Sequence, residues 1–160
     1  MAQRAGRYES WRHGGYEIST DPARLDLDVI HGFLQSAYWC YGIPRRVLER
    51  SIDHSLPFGL FGPEGEQAGF ARVISDHAQF AYLCDVFVLP KQRGRGLGAW
   101  LVQCVLEHPE LQGLRRWALV TADAHELYAR FGFGPLKHPR RHMVIERSPE
   151  EVWPSQAKGA

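Results

Sequence analysis

The sequence lacks the features that would link it to a membrane, to a nucleic acid or to export. Its 160 residues contain no run that approaches the roughly 20 consecutive apolar residues of a membrane-spanning helix. The formal net charge is only +1, so the overall charge gives no support to nucleic-acid binding. Residues 1–12 are polar and contain no apolar stretch of the kind found in secretory signals. We therefore expect a cytoplasmic protein that binds neither membranes nor nucleic acids.

Cysteine is also scarce, which limits disulfide and metal chemistry. The three cysteines, Cys40, Cys84 and Cys104, are odd in number, far apart and surrounded by apolar residues. The sequence has no C-x-x-C pair and no cysteine–histidine spacing typical of a zinc site. The pattern predicts reduced thiols packed in the interior and no bound metal.

What the sequence does contain is the composition of one ordinary folded domain. Apolar residues make up 44% of the chain and charged residues 23%, a balance typical of globular proteins. A chain of this length buries roughly two thirds of its unfolded surface in one core. We expect residues 1–15 to form a flexible leader, residues 16–147 to form a single domain and residues 148–160 to form a disordered tail.

Hydrophobic periodicity predicts the order of the secondary structure. Short apolar or alternating runs between turn residues indicate strands over 16–19, 58–61, 67–75, 80–89, 117–121 and 142–146. Apolar residues at three- and four-residue spacing indicate helices that begin after Asp26 or Asp28, at Pro44, near Gly96 and at Ala124. A strand–helix–strand unit within an otherwise antiparallel series points to a mixed sheet flanked by helices.

A glycine-rich loop between a buried strand and a helix is the strongest functional signal. Gly94, Gly96 and Gly98 carry no Cβ, so the backbone can approach a ligand closely. The free amides at the start of the helix and the positive end of the helix dipole together favour a bound phosphate. Arg93 and Arg95 add positive charge at the same place. The loop therefore predicts binding of a phosphorylated nucleotide.

Two common phosphate-binding motifs fit this loop poorly. A P-loop requires a Lys and a Ser or Thr that are missing here. A dinucleotide-binding fingerprint fits formally through Gly94, Gly96 and Ala99, with Asp123 as the acid that would bind the ribose. However, that motif turns directly from strand to glycine, whereas 90–93 intervene here, and the upstream strands are predicted to be antiparallel. We therefore reject both motifs.

The segment 85–98 resembles the acetyl-CoA-binding segment of the GCN5-related N-acetyltransferase (GNAT) superfamily. The core of that segment is R-x-x-G-x-G, here Arg93, Gly96 and Gly98. About 30 residues further on, 124–133 resembles a second signature of the superfamily, in which a tyrosine on a short helix, here Tyr128, precedes a Gly-Phe pair. The two signatures occur in the order found in the superfamily, and the resemblance covers roughly 16–146.

The resemblance implies a fold, a cofactor and a set of residues that bind it. The fold is α/β (α+β): a mixed, mostly antiparallel central sheet flanked by helices and splayed between the fourth and fifth strands, counted from Tyr16. The cofactor is acetyl-CoA, which serves as co-substrate. The residues that would contact it are Val86, Phe87, Val88, Arg93, Gly94, Arg95, Gly96, Leu97, Gly98, Ala99, Thr121 and Tyr128. Thr121 departs from the superfamily, because many members carry Asn there, which puts a contact to the pantetheine arm in doubt.

The resemblance also implies the reaction, acetyl transfer to an amine. Tyr128 takes the position of the tyrosine that protonates the CoA thiolate in the superfamily. A base must accept the amine proton; Asp85 and His125 are the candidates, and the alternative for Asp85 is a purely structural acid. The acceptor is a small-molecule or peptide amine that the sequence does not identify. The alternative function is a non-catalytic acyl-CoA-binding or regulatory module, and a homodimer is compatible with either.

The walls of the acceptor site have one set of candidate residues in the sequence. Tyr38, Trp39 and Tyr41 form a dense aromatic group after the first predicted helix. Such residues either line a pocket or belong to the core, and the sequence favours neither reading.

Overall fold

A six-stranded sheet forms the centre of the protein in the computed structural model, which describes residues 7–154. The strands, in chain order, are β1 (Ser10–His13), β2 (Tyr16–Ser19), β3 (Leu56–Phe61), β4 (Gln67–Ser75), β5 (Phe80–Val88) and β6 (Arg116–Ala118). Their order in the sheet is the same as their order in the chain. Consecutive strands are joined by tight turns from β1 to β2 and from β3 to β5, and these pairs are antiparallel.

The last pair of strands is parallel, because a helix crosses between them. β5 and β6 pair in parallel over Phe80–Tyr82 and Arg116–Ala118, as expected when a strand–helix–strand connection returns to the same sheet. The predicted mixed, mostly antiparallel sheet is thus confirmed. The predicted splay concerns these two strands; β5 continues for six residues beyond the paired segment, and the divergence itself stays a prediction.

Five α-helices lie among the described residues: α1 (Leu27–Leu34), α2 (Arg45–Asp53), α3 (Leu97–Glu107), α4 (His125–Ala129) and α5 (Pro149–Val152). The predicted cap of α1 is confirmed, since Asp26 Oδ1 accepts a hydrogen bond from the Val29 amide at 3.1 Å. Pro44 precedes the first residue of α2, where its missing N–H costs no helical hydrogen bond. Neither these nor any other helix in residues 7–154 has the length and apolar character needed to cross a bilayer.

Two hydrophobic cores cover the two faces of the sheet. α3 packs on one face against residues such as Ala81 and Leu83 of β5. α1 and α2 pack on the other face, against Phe70 and Phe87. Residues 81, 83 and 87 are all odd-numbered, so strict alternation would have placed them on one face. The parity of β5, meaning which face its odd-numbered side chains occupy, therefore changes between Leu83 and Phe87.

A β-bulge at Asp85 causes this change. Arg72 pairs with Cys84 and Phe70 with Phe87, so two residues of β5 oppose one residue of β4. Asp85 has a φ of 55°, in the left-handed region that a non-glycine residue rarely adopts. The bulge turns the end of β5 so that Phe87 enters the core beneath α1, and it does so immediately beside the predicted cofactor site.

The N-terminal boundary of the domain lies earlier than predicted. Ser10–His13 forms β1 and pairs with Tyr16–Ser19, so the expectation of a flexible leader is wrong for this segment. Trp11 supplies the physical reason, because its ring packs on Phe58 at 6.1 Å and extends the core on the α3 face. Residues 1–6 of the predicted leader lie outside the described residues.

The C-terminal predictions also need correction. Residues 142–146 do not form a strand; Met143, Val144 and Ile145 are 94%, 82% and 96% exposed. Their apolar pattern predicted burial, but this part of the chain packs against no neighbouring strand in the described residues. The tail is ordered where a disordered one was expected: Ser148 and Glu151 form a capping box at the start of α5, and Trp153 packs on the α1–α2 core. Residues 155–160 lie outside the described residues.

The three cysteines are free thiols. Cys40 and Cys104 are buried and Cys84 is partly buried. Burial raises the pKa of each thiol to about 12, so all three remain protonated at neutral pH. This agrees with the interpretation of the cysteines as packed, unreactive residues.

Candidate active site

A cavity of about 260 Å³ lies where the end of β5, the glycine loop and α4 meet. Nine of the residues predicted to bind the cofactor line it: Val86, Phe87, Val88, Arg93, Gly94, Gly96, Leu97, Gly98 and Tyr128. Three more line it without having been predicted: Gln92, Ala124 and Leu127. Arg95, Ala99 and Thr121 are not among the lining residues. The fold thus brings both sequence signatures to one cavity.

The glycine loop presents bare backbone to this cavity. Gly94 and Gly96 have φ values of 79° and 75°, and a Cβ on either residue would meet no atom within 4 Å. Gly96 is the N-cap of α3, and no side chain caps the helix there. The first amides of α3 are therefore left for a ligand, at the positive end of the helix dipole. This geometry suits an anion that approaches the main chain closely.

Side-chain hydrogen bonds hold the loop in place. Arg93 Nε donates to the Val88 carbonyl at 2.9 Å and so ties the loop back to β5. Tyr16, at the start of β2, donates from its hydroxyl to Gln92 Oε1 at 2.6 Å. The two residues of this second bond are 76 positions apart, and nothing in the local sequence indicates the contact.

Tyr128 is buried in the wall of the cavity with an exposed fraction of 8%. Burial is the main cause that raises the pKa of its phenol to about 12, and the nearby Tyr38 and Asp123 contribute to the same shift. The phenol is therefore neutral and able to donate a proton at any physiological pH. The site consequently contains a protonated acid beside the backbone of β5.

Two polar residues near Tyr128, Thr121 and His125, do not line the cavity. Thr121 Oγ1 accepts a hydrogen bond from the Ala124 amide at 3.1 Å and so caps the turn before α4. His125 is the first residue of α4 and is exposed; it does not line the cavity. The roles predicted for Thr121 and His125 stay predictions.

Asp85 takes part in a cluster that the sequence did not reveal. Its Oδ2 accepts from Arg72 Nε at 2.8 Å, and its Oδ1 accepts from Trp39 Nε1 at 3.2 Å. The side chains of Arg72 and Asp85 are only 13% and 9% exposed. Arg72 Nη1 also donates to Ser55 Oγ at 3.4 Å. Asp85 is therefore a fixed negative charge with a committed partner, at the bulge beside the cavity.

A larger cleft, of about 510 Å³, lies elsewhere, between the β1–β2 turn and the β3–β4 turn. Its main charges are already paired, because Arg24 Nη1 contacts Glu17 Oε1 at 2.8 Å. Its lining contains neither of the sequence signatures. We therefore place the candidate active site in the smaller cavity, which is lined by the glycine loop and by Tyr128.

Comparison with known proteins agrees with this geometry. The model of the acetyltransferase (GNAT) family matches residues 27–133. The chain belongs to the GNAT acetyltransferase family. A predicted acetyltransferase of the fungus Gibberella zeae is 36% identical over 144 residues, which cover 76% of this chain and 80% of that protein.

Solved structures show the same fold. A predicted GNAT-family acetyltransferase from Xanthomonas campestris pv. campestris is 50% identical, with a TM-score of 0.82 over 86% of this chain and 96% of its own. A predicted acetyltransferase from Clostridium acetobutylicum, solved with acetyl-CoA, has a TM-score of 0.58 over 88% of this chain and 95% of its own. That protein is only 10% identical, so the likeness extends to the GNAT fold alone.

Proposed function

We propose that this GNAT protein is an acetyl-CoA-dependent N-acetyltransferase that moves an acetyl group to a primary amine by direct attack on the thioester. The observation that carries the proposal is the convergence on one cavity of the bare loop at Gly94 and Gly96 and the protonated Tyr128. The first feature suits the pyrophosphate of a coenzyme, and the second suits its sulfur. The acceptor is a small-molecule or peptide amine, and the protein acts in the cytoplasm.

The residues of the cavity fit acetyl-CoA in charge and in shape. A Cβ at Gly94 or Gly96 would fill the space that a pyrophosphate needs above the main chain. The amides of the first turn of α3 would bind its oxygens, with the helix dipole favouring the negative charge. Val86, Phe87 and Val88 supply extended backbone beside the cavity for the pantetheine arm.

The reaction forms a C–N bond and breaks the C–S bond of the thioester. A backbone N–H of Val86, Phe87 or Val88 would stabilise the negative charge that develops on the carbonyl oxygen. Tyr128 donates the proton that the departing thiolate requires, because its raised pKa keeps the phenol protonated until that step. The amine proton leaves to a base or to a water chain.

The two candidates for the base differ in their surroundings. Asp85 lies at the bulge beside the cavity and is held by Arg72 and Trp39, so its carboxylate would act as a fixed charge that orients an ammonium group. His125 is exposed at the start of α4 and lies one helical turn from Tyr128. We propose Asp85 as the group that positions the amine and His125 as the final proton acceptor.

The test combines a binding measurement with a turnover measurement. Calorimetry should detect acetyl-CoA binding, and a thiol-release assay should detect CoA production that depends on an added amine. Tyr128→Phe should lower kcat about 100-fold, the size of a general-acid contribution, with an unchanged Kd for acetyl-CoA. Unchanged turnover in this variant would remove Tyr128 from the reaction.

The same assays separate the enzyme from the alternative, a non-catalytic acyl-CoA-binding module. Such a module would bind acetyl-CoA in calorimetry but would release no thiol with any amine. A protein that binds no acetyl-CoA would contradict both functions.

A further inference from the structure

Two exposed aromatic residues lie next to the candidate active site, in contact with Asp85 and with the turn before α4. Tyr38 and Trp39, which together are called the aromatic wall here, follow α1 and precede α2. They are 57% and 40% exposed, and their rings meet edge to face at 5.0 Å. Large rings left this open contribute little to a core, so their position calls for another explanation.

Hydrogen bonds fix the aromatic wall to both sides of the gap between β5 and the loop after β6. Trp39 Nε1 donates to Asp85 Oδ1 at 3.2 Å, on the β5 side. The Tyr38 hydroxyl accepts from the Ala122 amide at 3.0 Å, on the side that leads to α4. Tyr38 also lies close enough to Tyr128 to raise the pKa of that phenol. The aromatic wall therefore spans the proposed acid and the proposed amine-positioning carboxylate.

The aromatic wall continues down into the cavity as a series of ring contacts. The Trp39 ring packs on Phe33 at 6.3 Å, and Phe33 stacks on Phe87 at 4.0 Å and 15°. Phe87 itself lines the cavity. The aromatic wall is therefore anchored through Phe33 to a buried residue of β5, and a ring surface that is already held in place lowers the entropy cost of binding a ligand to it.

The charges beside the aromatic wall are balanced. Asp85 is paired with Arg72, so the two side chains together add no net charge. Arg72 has committed donors to Asp85 and Ser55, which leaves it poorly placed to bind an acidic substrate. A single ammonium group would be attracted by the exposed faces of the Tyr38 and Trp39 rings. The rest of its ligand would meet apolar surface.

We propose that Tyr38 and Trp39 bind the acceptor and select primary amines carried on an apolar, aromatic body. The inference rests on the proposed N-acetyltransferase function and assigns its substrate class. Polyamines and acidic amines are the competing classes, and neither finds matching charges at the aromatic wall.

The experiment compares phenethylamine, spermidine and glutamate as acceptors in the thiol-release assay. We expect the highest kcat/KM for phenethylamine. Trp39→Leu and Tyr38→Leu should each raise the KM for phenethylamine about tenfold, the loss of one cation–π and ring contact, while the Kd of acetyl-CoA stays unchanged. Phe80→Leu is the matched control, because Phe80 is 39% exposed at the opposite end of β5 and its replacement should leave KM unchanged.

Two further measurements test the contact between Trp39 and the acceptor. Trp39→Phe retains a ring but loses the N–H donated to Asp85, so its KM should lie between those of the wild type and Trp39→Leu. Calorimetry of phenethylamine in the presence of CoA should show the same order of affinities without any turnover.

A preference for spermidine or glutamate, or an unchanged KM in Trp39→Leu, would overturn the assignment while leaving the acetyltransferase function intact. Trp39-dependent binding of phenethylamine without thiol release from any of the three amines would instead overturn the proposed function and support the aromatic wall as a binding site.

Discussion

The proposed site has two halves, a cofactor half made of main-chain groups and an acceptor half made of side chains. The cofactor half consists of main chain: two left-handed glycines, an uncapped helix start and the end of β5. The acceptor half consists of side chains from four separate segments, joined in the cluster of Trp39, Ser55, Arg72 and Asp85. A backbone site serves any member that uses the same coenzyme, whereas a side-chain site can be changed residue by residue to suit one acceptor.

The largest expected effect is a loss of stability when the Arg72–Asp85 ion pair of the acceptor half is broken. Arg72→Leu leaves the buried Asp85 carboxylate without its partner, which should lower the free energy of unfolding by about 3 kcal/mol. Urea unfolding measures the change. Arg45→Leu is the control, because the pairs of Arg45 with Asp28 and Glu49 lie at the surface and should matter little.

A double variant sharpens this first test. Arg72→Leu combined with Asp85→Leu removes both charges and should regain part of the lost stability. If Arg72→Leu alone unfolds no more easily than Arg45→Leu, the ion pair does not hold the acceptor half together.

A smaller effect is expected from adding one methyl group to the cofactor half. Gly96→Ala places a Cβ where the proposed pyrophosphate lies, so the affinity for acetyl-CoA should fall about tenfold through the loss of one charge-assisted hydrogen bond. Gly113→Ala is a matched control, since Gly113 has a similar φ of 73° and similarly open surroundings away from the cavity. Both variants should lose about 1 kcal/mol of stability, but only Gly96→Ala should bind acetyl-CoA more weakly.

The smallest effect concerns the pH dependence of stability and comes from the core on the α3 face, where His108 packs on Trp11 and Phe58. His108 follows α3 and is 4% exposed, and burial lowers its pKa below the usual 6.5. The unfolded chain therefore binds more protons near pH 6, so stability is complete above about pH 6.5 and declines as the pH falls below that value. His108→Asn keeps an acceptor for the Glu110 amide and should unfold in urea with a weaker dependence on pH between 7.5 and 5.5. Equal acid sensitivity in wild type and variant would assign the effect to other groups.

The same contrast explains which parts of the structure could be predicted from sequence. The loop at Gly94 and Gly96 and the tyrosine at 128 were predictable, because backbone conformation and family signatures depend on contiguous residues. The cluster around Asp85 was not, because its members lie up to 46 positions apart and meet only after a bulge reverses the parity of β5. Periodicity also failed at 142–146, where an apolar pattern that predicts a strand lies fully in solvent.

Phe87 connects the two halves. Its carbonyl passes so close to Gly69 that a Cβ there would lie 2.6 Å away, while its ring is clamped between α1 and the sheet through Phe33. One residue thus anchors a helix with its side chain and borders the proposed position of the thioester with its main chain. A substitution that creates a cavity under α1 would shift the Phe87 ring and, with it, the main chain beside the proposed thioester. Such a variant should show an altered rate with unchanged binding constants.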